Sequence, residues 1–231
     1  MSLMSYIIYI VIIMAIPMWA QHNVKSNYEK YSQVRSTSGK TGREVAEEIL
    51  NANGIYDVEV VRGEGFLTDH YDPKKKVVCL SPANFDRPSV AGTAIAAHEV
   101  GHAIQHAQGY AFLRFRTALV PFANIGSSLS YMLVLLGIVL TTLGSAFGST
   151  ALWVGAGLMS LAVLFSIVTL PVEFDASSRA MKQIQSLNIV NEKEYKHAKK
   201  VLSAAAMTYV AATATAVAEL VRLILIARSS D

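Results

Sequence analysis

Between Thr117 and Val172 the chain runs for 56 residues without one Asp, Glu, Lys or Arg. A helix that crosses a bilayer needs about 20 mostly apolar residues, so this stretch has room for two spans and a turn. The turn is legible at Gly144–Thr150, where small and polar residues interrupt an apolar run that ends near Leu143 and resumes at Ala151. Gly155, Ala156, Gly157 and Ser160 give the second of these helices small side chains that suit close packing in lipid. Charge is likewise absent from residues 1–24 and 201–218. Only 16% of the chain is charged, against about 25% in an ordinary soluble domain, and that charge is gathered into residues 25–116 and 173–200.

The first gap, from about Leu3 to Ala20, reads as an N-terminal anchor. A cleaved secretory signal fits less well, because Met1–Ser5 has no cation and Met18-Trp19-Ala20 lacks small residues at both cleavage positions. The last apolar stretch, Val201 to Ala227, includes Glu219 and Arg222, three apart on a helix. They can pair inside a bundle, or the helix can lie partly in the interface. A fourth membrane helix is expected there. Of 20 Lys and Arg, 12 fall in residues 25–116 and 6 in 179–200. Cations flanking spans stay on the cytoplasmic side, so both charged segments are predicted to be cytoplasmic in a multi-pass cell-membrane protein. The net charge of +3 is too small and too dispersed for nucleic acid, which is excluded as a partner.

Chemistry is carried by His98-Glu99-Val100-Gly101-His102, a His-Glu-x-x-His motif in the first charged segment. Residues four apart share one face of a helix, so His98 and His102 can aim two imidazoles at one Zn²⁺, with Glu99 beside it as general base. Zn²⁺ lowers the pKa of water in its open position to about 7, and a carboxylate within hydrogen-bond reach can then take the proton. Two solvated histidines on an unremarkable helix are the alternative. That alternative leaves unexplained why Ala94, Ile95, Ala96, Ala97, Val100, Ala103 and Ile104 make most of the helix fit for burial. Pro88 and Ser89 precede this helix and Gly109 follows it.

A tetrahedral catalytic zinc takes three protein ligands. The single cysteine, Cys79, supplies no thiolate cluster, so the third must be a histidine or a carboxylate. His106 lies about 12 Å along the helix from His98, too far to share the ion comfortably. The longer metzincin spacing also fails, with Gln105 and Gln108 at its glycine and third-histidine positions. Glu173, Asp175, His70 and His197 remain. Two spans after Arg116 return the chain to the side it left, and Glu173 is the first carboxylate met on return. At the edge of an apolar span a carboxylate is expensive unless paired or metal-bound, which favours Glu173 as the ligand. Asp175 is a candidate to orient a histidine, because metal-bound imidazoles usually donate their second N–H to an oxygen.

These features resemble the YugP-like bacterial membrane zinc metallopeptidases, and more distantly the membrane zinc peptidases that include prenyl-protein endopeptidases and heat-shock membrane proteases. The likeness covers the anchor, the segment ending in His98-Glu99-Val100-Gly101-His102, the membrane hairpin and Glu173-Phe174-Asp175-Ala176. In the wider group a Glu-x-x-x-Asp pattern supplies the third zinc ligand, which by resemblance is Glu173. Its aspartate position here is Ser177, so Ser177 or Asp175 must take over that support.

The fold class expected is mainly α and integral to the membrane, with about four transmembrane helices and a small α+β zincin-like cytoplasmic domain carrying the motif helix. The divisions are an anchor at 1–21, a metallopeptidase domain at 22–116, a hairpin at 117–172, a segment with the third ligand at 173–200, and a membrane or interfacial helix at 201–231. Within the second, Thr41 to Glu44 forms a capping box opening a helix through Leu50 that stops near Gly54. Tyr56–Arg62, Phe66–Thr68 and Lys76–Leu80 read as strands, one edge of which can bind an extended peptide. His70 or Tyr71 is a candidate oxyanion donor, against ordinary turn chemistry before Pro73. The Glu- and Lys-rich residues 191–200 read as a solvated helix start.

The function expected is zinc-dependent endopeptidase action on protein or peptide substrates, membrane proteins among them, at the cytoplasmic face of the lipid bilayer. The rival is a membrane adaptor with a structural or degenerate zinc site. A metal-ion transporter fits poorly, since the first three spans offer no charged side chain to line a path.

Overall fold

A computed structural model describes residues 3–230. In chain order it contains α1 (Leu3–Ser32), α2 (Gly42–Ala52), β1 (Glu59–Arg62), β2 (His70–Asp72), β3 (Val77–Leu80), α3 (Pro82–Asp86), α4 (Val90–Ala107), α5 (Ala111–Thr142), α6 (Phe147–Ser186) and α7 (Glu192–Ser229). Helices α1, α5, α6 and α7 are each long and apolar enough to cross a membrane. The described residues form two compact units, one of residues 19–113 and 171–208, the other of residues 3–18, 114–170 and 209–230.

The first unit is built around a buried apolar cluster that includes Val45, Ile49, Val78, Leu80, Val90, Val100 and Ile184. Helix α2 starts at the capping box foreseen from sequence: Thr41 accepts from the Glu44 N–H, and the Glu44 carboxylate accepts from the Thr41 N–H. Its apolar residues Val45, Ala46, Ile49 and Leu50 recur at helical spacing and are all buried. The sheet has the order β1-β3-β2, with β1 parallel and β2 antiparallel to β3.

One predicted strand is misplaced. Phe66–Thr68 is not extended, because Gly65 and Leu67 both take positive φ (90° and 53°), which turns the chain before it can pair. The strand forms instead at His70–Asp72, where Asp69 accepts from the Ser81 N–H, the Ser81 hydroxyl and the Asn84 side-chain amide. Asp72 then closes the β2–β3 turn by accepting from the N–H groups of Lys74 and Lys75.

The second unit is made of apolar helix. The break between α5 and α6 is shorter than Gly144–Thr150, since α6 already begins at Phe147. Gly144, at φ 75°, makes the turn. Of the four small residues expected to pack, Gly155 and Ala156 do: Ala156 is buried, and the Ser130 hydroxyl donates to the Gly155 carbonyl at 2.8 Å. Gly157 faces open space and Ser160 is exposed. Ile125, Tyr131, Leu135 and Val139 are also exposed, a surface suited to lipid rather than water.

Glu219 and Arg222 pair within α7. Arg222 donates to Glu219 Oε2 from Nε and Nη2 at 3.1 and 2.8 Å, and the Tyr9 hydroxyl donates to Glu219 Oε1 at 2.8 Å. Removing one charge of a pair in apolar surroundings is worse than removing both. Arg222→Leu is therefore expected to destabilise the detergent-solubilised protein by about 3 kcal/mol, and adding Glu219→Leu should recover most of that loss. Thermal unfolding of both variants checks the order, which a double variant no more stable than Arg222→Leu would contradict.

Candidate metal centre

Helix α4 carries the motif. Ser89 caps it by accepting from the Gly92 N–H at 3.0 Å, and Gly109 ends it at φ 64°. Ala91, Ala94, Ala96, Ala97 and Ala103 are almost fully buried, so small side chains let this helix run through the interior of its unit. His98 and His102, one turn apart, set their rings 4.8 Å apart and nearly perpendicular. Glu99 is buried between them in sequence, and burial pushes its carboxyl above the usual range while His98 and His102 oppose the shift.

The third group comes from α6. Glu173 Oε2 lies 3.3 Å from His98 Nε2 and 3.6 Å from His102 Nε2, and the residue is 2% exposed. The three donor atoms are all within 4.8 Å of one another. What permits the approach is Gly101, between the two histidines. A Cβ at that position would sit 2.5 Å from the Ala176 carbonyl oxygen and 3.2 Å from the Ala176 Cα, so only glycine lets α6 backbone lie this close to α4.

Each histidine has a hydrogen-bond partner on its other ring nitrogen. His102 Nδ1 lies 3.0 Å from Gln105 Oε1. The Gln105 Nε2 group donates to the Val172 carbonyl and to Asp175 Oδ2, each at 2.8 Å, which fixes which end of the amide is oxygen. Gln105 Oε1 must then accept, so His102 carries a proton on Nδ1 and directs Nε2 toward Glu173. Asp175 also accepts from the Arg179 Nε–H, and Arg179 donates in turn to Gln108. His98 Nδ1 lies 3.1 Å from the Ser177 hydroxyl. Two imidazole nitrogens and a carboxylate oxygen, with Gln105 holding a proton on His102 Nδ1 from behind, are a donor set that fits Zn²⁺.

The remaining candidates lie elsewhere. His106 is exposed, with Nδ1 2.8 Å from the Tyr71 hydroxyl, which directs Tyr71 to His106. His70 donates from Nδ1 to the Thr68 carbonyl. His197 stacks on Tyr31 with ring centroids 4.7 Å apart. Asp175 reaches the histidines only through Gln105. Gln105 and Gly101 are the two contributors that the sequence reading passed over. Gln105 had left a signal, as an amide three residues past His102 and so on the same side of the helix.

The family described as "Putative neutral zinc metallopeptidase" matches residues 6–228. The chain is 44% identical over 223 residues to "Putative membrane protease YugP" of Bacillus subtilis (strain 168), covering 96% of each sequence. No solved structure matches it.

Replacing Gln105 by Leu preserves volume but leaves the His102 Nδ1–H, the Val172 carbonyl and Asp175 short of a partner. Zinc affinity, measured by competition with a chelator, should fall by about 10- to 100-fold. An unchanged affinity would show that the amide does not position His102.

Proposed function

Because the chain belongs to the neutral zinc metallopeptidase family, we propose that it is a multi-pass membrane endopeptidase that hydrolyses peptide bonds at the cytoplasmic surface of the bilayer. His98, His102 and Glu173 hold Zn²⁺, and Glu99 is the general base. The observation that carries this is the convergence of two imidazole nitrogens and a buried carboxylate oxygen from α4 and α6 within 4.8 Å. Zn²⁺ in such a set supplies Lewis acidity, lowering the pKa of water to about 7 and polarising the scissile carbonyl.

The chain's own residues do the rest. Gln105 keeps a proton on His102 Nδ1 and Ser177 meets the same nitrogen of His98, so both rings are held with Nε2 toward Glu173. Glu173 neutralises part of the ion's charge inside a largely dry site. Glu99 follows His98 directly in the helix, accepts the proton of the attacking water and returns it to the leaving amine. Burial favours this exchange by holding the carboxyl nearer neutrality than a solvated one. Substrates are proteins or peptides, with membrane proteins included because the site is carried on membrane-anchored helices. Residues 22–116, with 173–200, form the peptidase part.

Glu99→Gln retains the shape of the side chain and removes its basicity. Zinc content should stay at one per chain while the rate of hydrolysis of an unfolded casein-type substrate drops by at least about 100-fold. Hydrolysis at the parental rate would refute the assignment.

The positive-inside distribution of cations supports the orientation. A green fluorescent protein fused after Lys200 should fluoresce, and alkaline phosphatase fused there should be inactive. The reverse pattern would place residues 173–200 outside.

A further inference from the structure

Away from the metal centre, the C-terminal part of α1 and the N-terminal part of α7 enclose a groove of about 690 Å³. Its lining includes Lys193, Lys196, Lys199 and Lys200 but no carboxylate. Among the described residues none of these four ammonium groups forms an ion pair. The nearest buried acid in sequence, Glu194, is already committed: its carboxylate accepts from the Thr37 N–H and hydroxyl and from the Asn191 N–H. Four unneutralised cations facing one cavity repel each other, an arrangement that favours an anionic occupant. On α1, the amides of Asn23 and Asn27, one turn apart, add hydrogen-bonding groups to the same lining.

The groove is cationic at one end and apolar at the other. Along α7 the lining passes from the lysines to Ser203, Ala204 and Met207, where the chain enters its uncharged interval at residue 201. On α1 the uncharged interval ends at residue 24, between the two asparagines. The two helices run in opposite directions here, with Tyr31 stacked on His197, so both change from charged to uncharged sequence along this one groove. Trp19, exposed and one turn before Asn23, is the type of side chain that sits at headgroup level.

We infer that this groove binds the phosphodiester headgroup of an anionic phospholipid, with Lys196, Lys200 and Asn27 at the phosphate and Ala204 and Met207 against the start of the acyl chains. This site is separate from the metal centre and does not depend on peptidase activity. Juxtamembrane lysines each contribute measurably to binding anionic lipid, and here four of them share one concave site.

Native mass spectrometry of the full-length protein in dodecyl maltoside, titrated with phosphatidylglycerol or phosphatidylcholine, tests the assignment. Phosphatidylglycerol should bind at least roughly tenfold more tightly. Lys196→Gln with Lys200→Gln should lower that affinity to the phosphatidylcholine level, whereas Lys196→Arg with Lys200→Arg should retain most of it. Lys74→Gln with Lys75→Gln, at a cationic turn elsewhere, should change nothing. Unaltered zinc content in each variant establishes that the chain is folded. Equal affinities for the two lipids, no loss in the Lys196→Gln/Lys200→Gln protein, or complete displacement of phosphatidylglycerol by millimolar inorganic phosphate would overturn the proposal.

Discussion

The close approach of α6 to α4 at Gly101 is the constraint on which the convergence of His98, His102 and Glu173 depends. With the Ala176 carbonyl where a Cβ would otherwise lie, the α6 backbone reaches the motif helix at contact distance, and Glu173, less than one turn before Ala176, comes within 3.3 Å of His98. A single methyl group at residue 101 would force the two helices apart, and imidazoles and carboxylate could then not grip one ion. Interiors pack too densely to absorb such a change locally.

The same contact organises the support behind the ligands. Once α6 lies against α4, the Val172 carbonyl and Asp175 reach Gln105, and Ser177 reaches His98. Where the wider group has an aspartate this chain has Ser177, and the two histidines meet two different partners. A hydroxyl serves one histidine, and an amide held by a carboxylate serves the other. Arg179 completes the second by binding Asp175, with its guanidinium near the Tyr110 ring. Each buried polar group in this chain of contacts is answered by another, as a low-dielectric interior requires.

Much of this was legible in the residues. The capping box at Thr41, the Ser89 cap of the motif helix, the four long apolar helices and the turn near Gly144 all rest on patterns within a few residues of each other, which sequence exposes directly. The third group, Glu173, was reachable because membrane crossing restricts where a returning chain can emerge. The strand at His70–Asp72 was misjudged by a few residues, since a positive φ at Leu67 leaves little trace in composition. The pairing of Tyr71 with His106 was equally hidden, because it depends on where a short sheet meets a helix.

By itself the sequence determined the helical, lipid-suited character of most of the chain and put two histidines on one helical face with a glutamate beside them. Both follow from local periodicity and from the cost of charge in apolar surroundings. Only the tertiary structure decided that Gly101 serves as the point of helix contact, that Gln105 meets His102 Nδ1, and that lysines of α7 share a groove with asparagines of α1. These facts turn on distances between segments remote in the chain, and such distances are set by how whole helix surfaces pack rather than by the letters at any one site.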